Sequence, residues 1–368
     1  GTSAKANAAA VAGADADAGA GAAAGIAPEA SSHLPEVWEV RVPRRRLLRY
    51  GENPSQEGAL YGTGDGFPFN LEQLHGKELS YNNLLDLACA RDLLAEFDGG
   101  DASHGRPARA LAVVIKHGIP CGVARGRSLT EAYRQARDAD ALSAFGGVVG
   151  FSATVDVPTA ELLNETFLEV VLAEDFEAEA LEILARKKNR VLLRAPRGSL
   201  SADEAGAALG LPWFPRGRFA GQGVLLQTPM PRGLGESEWK VVTRRAPDPR
   251  EAEDLLFGWK VLKHVRSNGV LFARDGQTLG VGSGQCSRID SVEIALHKAG
   301  RCGHELRGSV MVSDAFFPFR DCVDRAAGVG VTAVLHPGGS IRDEESVVAC
   351  DEHGMAMVLN AARVFSHG

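Results

Sequence analysis

Ser309-Val-Met-Val312, the segment from Arg320 to Ala327, and Val331-Thr-Ala-Val-Leu335 decide the fold class. Two apolar runs of strand length flank a segment of helix length, a β-α-β unit whose strands lie parallel in one sheet. The same alternation recurs upstream. Leu111-Ala-Val-Val-Ile115 is a continuous apolar run, as a strand buried on both faces requires. Ser128-Leu-Thr-Glu131 is a capping box opening an alanine-rich helix to about Asp140, and Val148-Val-Gly-Phe151 reads as the next strand. Leu162 to Leu184 has helical spacing, closed by the basic cluster Arg186 to Arg190. An amphipathic helix is expected over Leu255 to Val265, followed by strands at Gly269 to Ala273 and Gln277 to Val281. Ile289, Val292, Ala295, Leu296 and Ala299 then recur at a helical period from Arg288 to about Lys298, with Gly300 as the stop. The alternation predicts α/β layers with parallel or mixed sheets in two similar halves.

Length and charge narrow the function classes. The chain has 368 residues, 40 basic against 47 acidic, for a formal net charge of −7. That balance disfavours nucleic-acid binding through bulk charge, while a local phosphate site remains compatible. No apolar run reaches the ~20 residues of a membrane helix. The 6 cysteines include no C-x-x-C pair, and no H-E-x-x-H is present, so neither a structural nor a catalytic zinc site is expected. Scattered free thiols suit a reducing, cytoplasmic setting. The Ala/Gly-rich opening has no Met, and Gly1-Thr2-Ser3 reads as an expression remnant. Residues 1–36 are expected as a tail, and the pattern-poor stretch from Arg197 to Ala208 suggests a division between lobes over 37–210 and 211–368.

Ligands of open α/β sheets collect beyond the carboxyl ends of strands, and three such ends carry polar residues. Lys116-His117 follows the 111–115 run: a histidine takes up a proton near neutrality, and a lysine beside it can hold an anion. The alternative is a solvent-facing lysine and a hydrogen-bonded loop histidine. Gly280-Val-Gly-Ser-Gly284-Gln285-Cys-Ser-Arg288 could bind an anion at a helix start or be a glycine-requiring turn. Its G-x-G-x-G spacing does not match a dinucleotide fingerprint. Ser313 to Asp321 contains three phenylalanines, which are either core or an aromatic wall for a flat heterocycle.

Taken together, these stretches resemble the AICAR transformylase domain of the bifunctional enzyme that fuses it to IMP cyclohydrolase. The motifs carrying the resemblance begin with Arg49-Tyr-Gly-Glu-Asn-Pro54, Glu78-Leu-Ser-Tyr-Asn-Asn83 and Lys116-His117 with Pro120-Cys-Gly122. They continue with Asp138 to Gly147, Arg266-Ser-Asn268, Gly282 to Gln285, Ser313 to Asp321 and His336-Pro-Gly-Gly-Ser340, together running from about Leu48 to His367. The resemblance implies two cytidine-deaminase-like α/β/α lobes with mixed sheets and no catalytic zinc, assembled as a homodimer with active sites at the interface. It implies transfer of a formyl group from 10-formyltetrahydrofolate to the amine of AICAR. His117 would be the general base, Lys116 would tune it and assist the departing folate nitrogen, and Asn268 would hold the formyl oxygen. Arg49, Tyr50 and Arg363 match phosphate and ribose contacts, while Arg288, Phe316, Pro318, Phe319 and Asp321 match positions around the substrate base and the pterin. A potassium ion near Ser267 and Asp314 is a further carry-over.

Two departures bear on substrate choice. Ser55 stands where the family has a histidine after Asn53-Pro54, and Ile119 stands where a polar residue is common. With no cyclohydrolase expected in this chain, the resemblance leaves three readings. The first is an AICAR formyltransferase working with a separate cyclohydrolase. The second is a specialised enzyme acting on a pyrazole-type C-nucleotide in nucleoside-antibiotic assembly. The third is a non-catalytic ribotide-binding subunit, which the intact Lys116, His117 and Asn268 disfavour.

Overall fold

All five residues of the 111–115 run are buried in the computed structural model, which describes residues 34, 36–62, 71–97, 110–195, 216–231 and 233–367. Burying each such aliphatic side chain contributes ~1.5–3 kcal/mol over leaving it exposed, so a continuous apolar run is stable only inside a sheet covered on both faces. The first half supplies β3 (Glu72–His75), β4 (Ala110–Lys116), β5 (Ile119–Gly126), β6 (Val148–Phe151), β7 (Val170–Ala173) and β8 (Val191–Arg194). The second supplies β11 (Lys240–Val241), β12 (Val270–Arg274), β13 (Gln277–Gly282), β14 (Val310–Ser313), β15 (Ala333–His336) and β16 (Ala356–Leu359). They form one 12-stranded mixed sheet in the order β11-β16-β15-β14-β12-β13-β5-β4-β6-β7-β8-β3.

That order is a repeat with a centre. β4 and β5 form an antiparallel hairpin, β6, β7 and β8 run parallel to one another, and β3 closes the edge antiparallel. β12 to β16 and β11 repeat the scheme. The halves join where Gln277 pairs with Ala124, and the Thr278 hydroxyl bonds both the N–H and the carbonyl of Val123. One face carries the helices Tyr81–Ala95 and Pro249–Leu262 over a core shared by both halves. The other face has a separate core in each half, under the helices Leu129–Ala139 and Arg288–Arg301 and their followers. Close helix–sheet approach explains the glycines at 122 and 280. A Cβ would lie 1.8 Å from the Ala136 carbonyl oxygen at the first and 2.2 Å from that of Ala295 at the second.

The β-α-β reading of 309–335 holds, since β14 and β15 pair in parallel across the Asp321–Ala327 helix. Two expectations need correction. Leu162 to Leu184 is not one helix: it contains the end of the helix Val157–Asn164, strand β7 and the helix Ala178–Ala185. A run of Val170-Val-Leu-Ala173 satisfies a helical spacing by being apolar throughout, and burial on both faces makes it a strand. Gly300 does not stop its helix, which runs on to Arg301; Gly303, at φ +75°, turns the chain as His304 N–H returns to the Ala299 carbonyl. The stretch from Arg197 to Ala208 lies outside the described residues. β1 (Arg44–Leu48) with β2 (Gly58–Tyr61), and β9 (Arg216–Ala220) with β10 (Gly223–Gln227), form two small separate ribbons.

Candidate active site

β4 ends in a two-residue turn, His117 at φ 54° and Gly118 at φ 69°. Two successive left-handed residues suit a tight hairpin, because their twist matches that of the strands. Histidine adopts that backbone only with support. It comes from Asp86, on the inward face of the Tyr81–Ala95 helix, whose Ser80 cap and Asn83 form a capping box. Asp86 Oδ2 accepts from His117 N–H at 3.2 Å and Oδ1 from Gly118 N–H at 2.5 Å. Burial pushes the Asp86 carboxyl above its ordinary pKa, against the opposing pull of these two N–H groups and of the His117 and Lys116 charges. The imidazole of His117 is left exposed. Lys116 reaches sideways, its Nζ donating to the Phe145 carbonyl at 2.7 Å.

The second half meets this turn through Arg266, whose guanidinium donates to the His117 carbonyl at 3.3 Å. Two residues on, Asn268 Nδ2 donates to the carbonyls of Gln285 at 2.8 Å and Cys286 at 3.1 Å. Both amide donors are therefore engaged, and holding a formyl oxygen requires releasing one of them. Asn268 Oδ1 accepts from Arg288 at 2.5 Å. Arg288 is buried and paired with Asp314, with a further bond to Ser313 Oγ at 2.9 Å. This places Arg288 beneath Asn268, as its support. The other Asp314 oxygen accepts from Ser267 Oγ at 2.7 Å and Gly269 N–H at 2.9 Å. Both carboxylate oxygens of Asp314, the residue named for the potassium expectation, thus accept hydrogen bonds within the protein. Among the described residues, no group of three His, Cys, Asp or Glu is arranged to hold a metal.

The C-terminal segment ties into the same cluster. Ser267 and Ser366 exchange bonds at 2.7 and 3.0 Å, and Val364 N–H donates to the Asp314 carbonyl. Arg363 is exposed on this segment, over the Phe365 ring at 4.8 Å. Lys116, His117, Ser267, Asn268, Arg288, Asp314 and the segment bearing Arg363 thus form one connected site drawn from both halves.

The three phenylalanines divide. Phe317 is core, packed on His336 at 4.9 Å, whereas Phe316 and Phe319 are exposed with Pro318. Arg342 lies over Phe319 at 4.9 Å, and Asp321, the first residue of its helix, accepts from Cys322 N–H at 2.8 Å. Arg49 and Tyr50 sit beyond β1 on the first ribbon, which Asn82 tethers through the Glu52 carbonyl at 3.2 Å; this arm stands outside the connected cluster. Ser55 is exposed in the same turn, and Ile119 opens β5 opposite Lys116.

Sequence reasoning did not single out Asp86, or the set in which Glu169 accepts from Lys77 Nζ at 3.0 Å and Asn83 Nδ2 at 3.3 Å. An aspartate on the apolar face of the Leu84–Leu94 segment was the available signal for the first. Cys89 and Cys121 lie near the turn, but burial pushes both thiols up to about 12, so neither offers a thiolate at neutral pH.

Comparison with known proteins adds the family context. A model of the family described as AICARFT/IMPCHase bienzyme matches residues 8–298. The bifunctional purine biosynthesis protein PurH of Chloroflexus aurantiacus is 45% identical over 334 residues, covering 91% of this chain and 61% of the relative. That of Myxococcus xanthus is 46% identical over 355 residues, covering 94% of this chain and 64% of the relative. The chain therefore spans about three fifths of the length of these curated relatives. A solved deaminase/reductase from Thermotoga maritima aligns over 30% of this chain and 35% of its own at a TM-score of 0.22 and 18% identity, too little to support a fold argument.

Proposed function

The chain belongs to the AICARFT/IMPCHase bienzyme family, and from that premise we propose that it is a folate-dependent formyltransferase. It moves the formyl group of 10-formyltetrahydrofolate to the amine of AICAR or a close analogue. The observation that carries this reading is the exposed His117 imidazole on a turn fixed from below by Asp86 and beside Lys116. The acceptor amine is conjugated with its ring and is a poor nucleophile, so the chemistry needs its proton removed during attack on the formyl carbon. His117 takes that proton as the new C–N bond forms. The tetrahedral oxyanion is met by Lys116 and by Asn268, which exchanges its longer Cys286 contact for the substrate. Collapse breaks the bond to the folate nitrogen, which regains a proton from the Lys116–His117 pair.

Around this centre, Arg49, Tyr50 and Arg363 are assigned to the phosphate and ribose, since guanidinium forks suit a doubly charged phosphate. Phe316 lies against the substrate base, and Pro318, Phe319 and Asp321 against the pterin. Exposed Leu142, Phe145 and Phe167, the last two ring-packed at 5.3 Å, support a homodimer that covers the site edge. Among the described residues no helix is long and apolar enough to cross a membrane, and a cytoplasmic enzyme of two lobes divided near residue 210 fits this reading.

A second acceptor is favoured by Ser55, a smaller polar residue where the family has histidine, and by Ile119, apolar where a polar residue is common: a pyrazole-type C-nucleotide of nucleoside-antibiotic assembly. The test is a formyl-transfer assay with 10-formyltetrahydrofolate against AICAR and its pyrazole analogues, with products identified by mass. Formylated AICAR as the best product supports the first acceptor, and a markedly higher kcat/KM for a pyrazole supports the second. No formylated product from any acceptor, despite ribotide binding, would leave only a binding subunit.

A further inference from the structure

The turn under His117 is built a second time. β12 ends at Arg274, followed by Asp275 at φ 55° and Gly276 at φ 73°, matching His117 at 54° and Gly118 at 69°. Beneath it, Asp254 on the Pro249–Leu262 helix accepts from Gly276 N–H at 2.9 Å, as Asp86 does from Gly118. Asp86 and Asp254 each occupy the sixth position of their helix. β5 and β13 are antiparallel neighbours, so the two turns lie at opposite ends of the sheet. The molecule thus contains its own comparison: a buried carboxylate under the same kind of turn, bridging two N–H groups at one end and bonded to one, Gly276 N–H, at the other.

We propose that Asp86 is a positioning residue for the transfer reaction: its carboxylate bridges the backbone N–H groups of His117 and Gly118 and holds the left-handed turn that aims the imidazole into the site. This rests on the formyl-transfer reading above. Two separate oxygens are needed, one per N–H. The isosteric asparagine offers one oxygen and sets its NH2 against the remaining N–H donor. The loss at that contact reopens a backbone geometry that a non-glycine residue does not favour. The groups facing Asp86 are Lys116 and His117 on β4 and its turn, Cys89 on its own helix and Cys121 on β5. None of these supplies a substitute acceptor for the two N–H groups.

The experiment uses the full chain with the substitutions Asp86→Asn, Asp86→Glu, Asp254→Asn and His117→Asn, reading Tm, kcat and KM for both substrates. A misplacement of about 1 Å in a catalytic group costs up to ~100-fold. Asp86→Asn is expected to lower kcat by about 10–100-fold with KM within about threefold. Asp254→Asn, which can keep its single Gly276 bond, is expected to lower Tm no more than Asp86→Asn does and to keep kcat within about twofold, and Asp86→Glu, with both oxygens but one extra methylene, to recover part of the loss. Parental kcat in Asp86→Asn, with His117→Asn inactive, overturns the positioning role and leaves the transfer reading intact. Equal kcat losses in Asp86→Asn and Asp254→Asn overturn it as well, since the effect is then general loosening. Parental kcat in His117→Asn overturns the transfer mechanism itself. Should Asp86→Asn not fold, the pair Asp86→Glu and Asp86→Gln decides: equal kcat in the two overturns the proposal, and a kcat about fivefold or more lower in Asp86→Gln supports it.

Discussion

Lys116-His117-Gly118 and Arg274-Asp275-Gly276 are the same kind of turn in two halves of one sheet, and the proposed chemistry falls on the first alone. At the first, an imidazole stands clear and Arg266 reaches in from the other half. At the second, Asp275 is 70% exposed and faces Arg250 and Arg274 at 3.9 and 3.8 Å, a solvated surface charge cluster worth little. The backbone device is therefore indifferent to function. What distinguishes the ends is which side chain occupies the left-handed position and what the opposite half brings to it. A duplicated fold supplies two equivalent platforms, and residue identity makes one of them a site.

The largest expected effect tests that contrast directly. Asparagine tolerates left-handed backbone, so His117→Asn and Asp275→Asn each keep the turn while removing the native side chain. His117→Asn is expected to lower the formyl-transfer rate by about 10²–10⁴-fold, the usual contribution of a general base. Asp275→Asn is expected to leave it within about twofold. A comparable fall in both would erase the distinction between the ends.

A second contrast lies at the tips of the parallel strands. In register, β7 ends at Ala173 where β15 ends at His336. Burial, helped by the Arg288 charge, holds His336 down to about 3, and its Nδ1 accepts from Gly338 N–H, fixing the neutral form. The unfolded chain protonates this histidine near its ordinary value of ~6.5. Stability from this group is thus complete above that pH and is lost as pH falls from about 6.5 towards 3, at up to ~1.4 kcal/mol per pH unit. Urea unfolding of His336→Ala at several pH values should give a flatter fall than the parent, whatever its absolute stability. An unchanged slope would mean the acid sensitivity lies elsewhere.

The smallest effects test the symmetry itself. Ser128 and Ser287 cap corresponding helices, each accepting from the N–H three residues on at 3.2 and 3.1 Å. Replacing either by alanine should cost about 1 kcal/mol in denaturant unfolding. A large difference between them would show that the halves are equivalent in topology but not in stability.

Legibility in the sequence followed physical locality. Strands such as 111–115 and 270–274, buried on both faces, announce themselves as apolar runs, and the Ser128 cap marks its helix start. Leu162 to Leu184 misled because a short apolar strand between two helices mimics their spacing. The catalytic candidates were readable where they adjoin a strand end. Asp86 was not, because its partners are 31 and 32 residues away and only folding brings them under its carboxylate. Arg288 was recognised through the resemblance, but its bonds to Asp314 and Asn268 were not legible, because the partners lie 26 and 20 residues away. Nor does spacing reveal that one phenylalanine of 316, 317 and 319 faces inward; that depends on which side of the loop meets His336.

The Gln277–Ala124 junction carries a consequence for how such a molecule can be divided or inherited. β5 and β13 meet at the centre of the sheet through this one pair and the Thr278 hydroxyl bonds to Val123. Separated, each half would present an open strand border of the kind that recruits foreign strands and aggregates. The seam also joins the two sides of the proposed site, with His117 on one and Asn268 and Arg288 on the other. A gene encoding either half alone would yield a sticky fragment with an incomplete reaction centre, and the repeat, once fused, is held together by the exposed border it conceals.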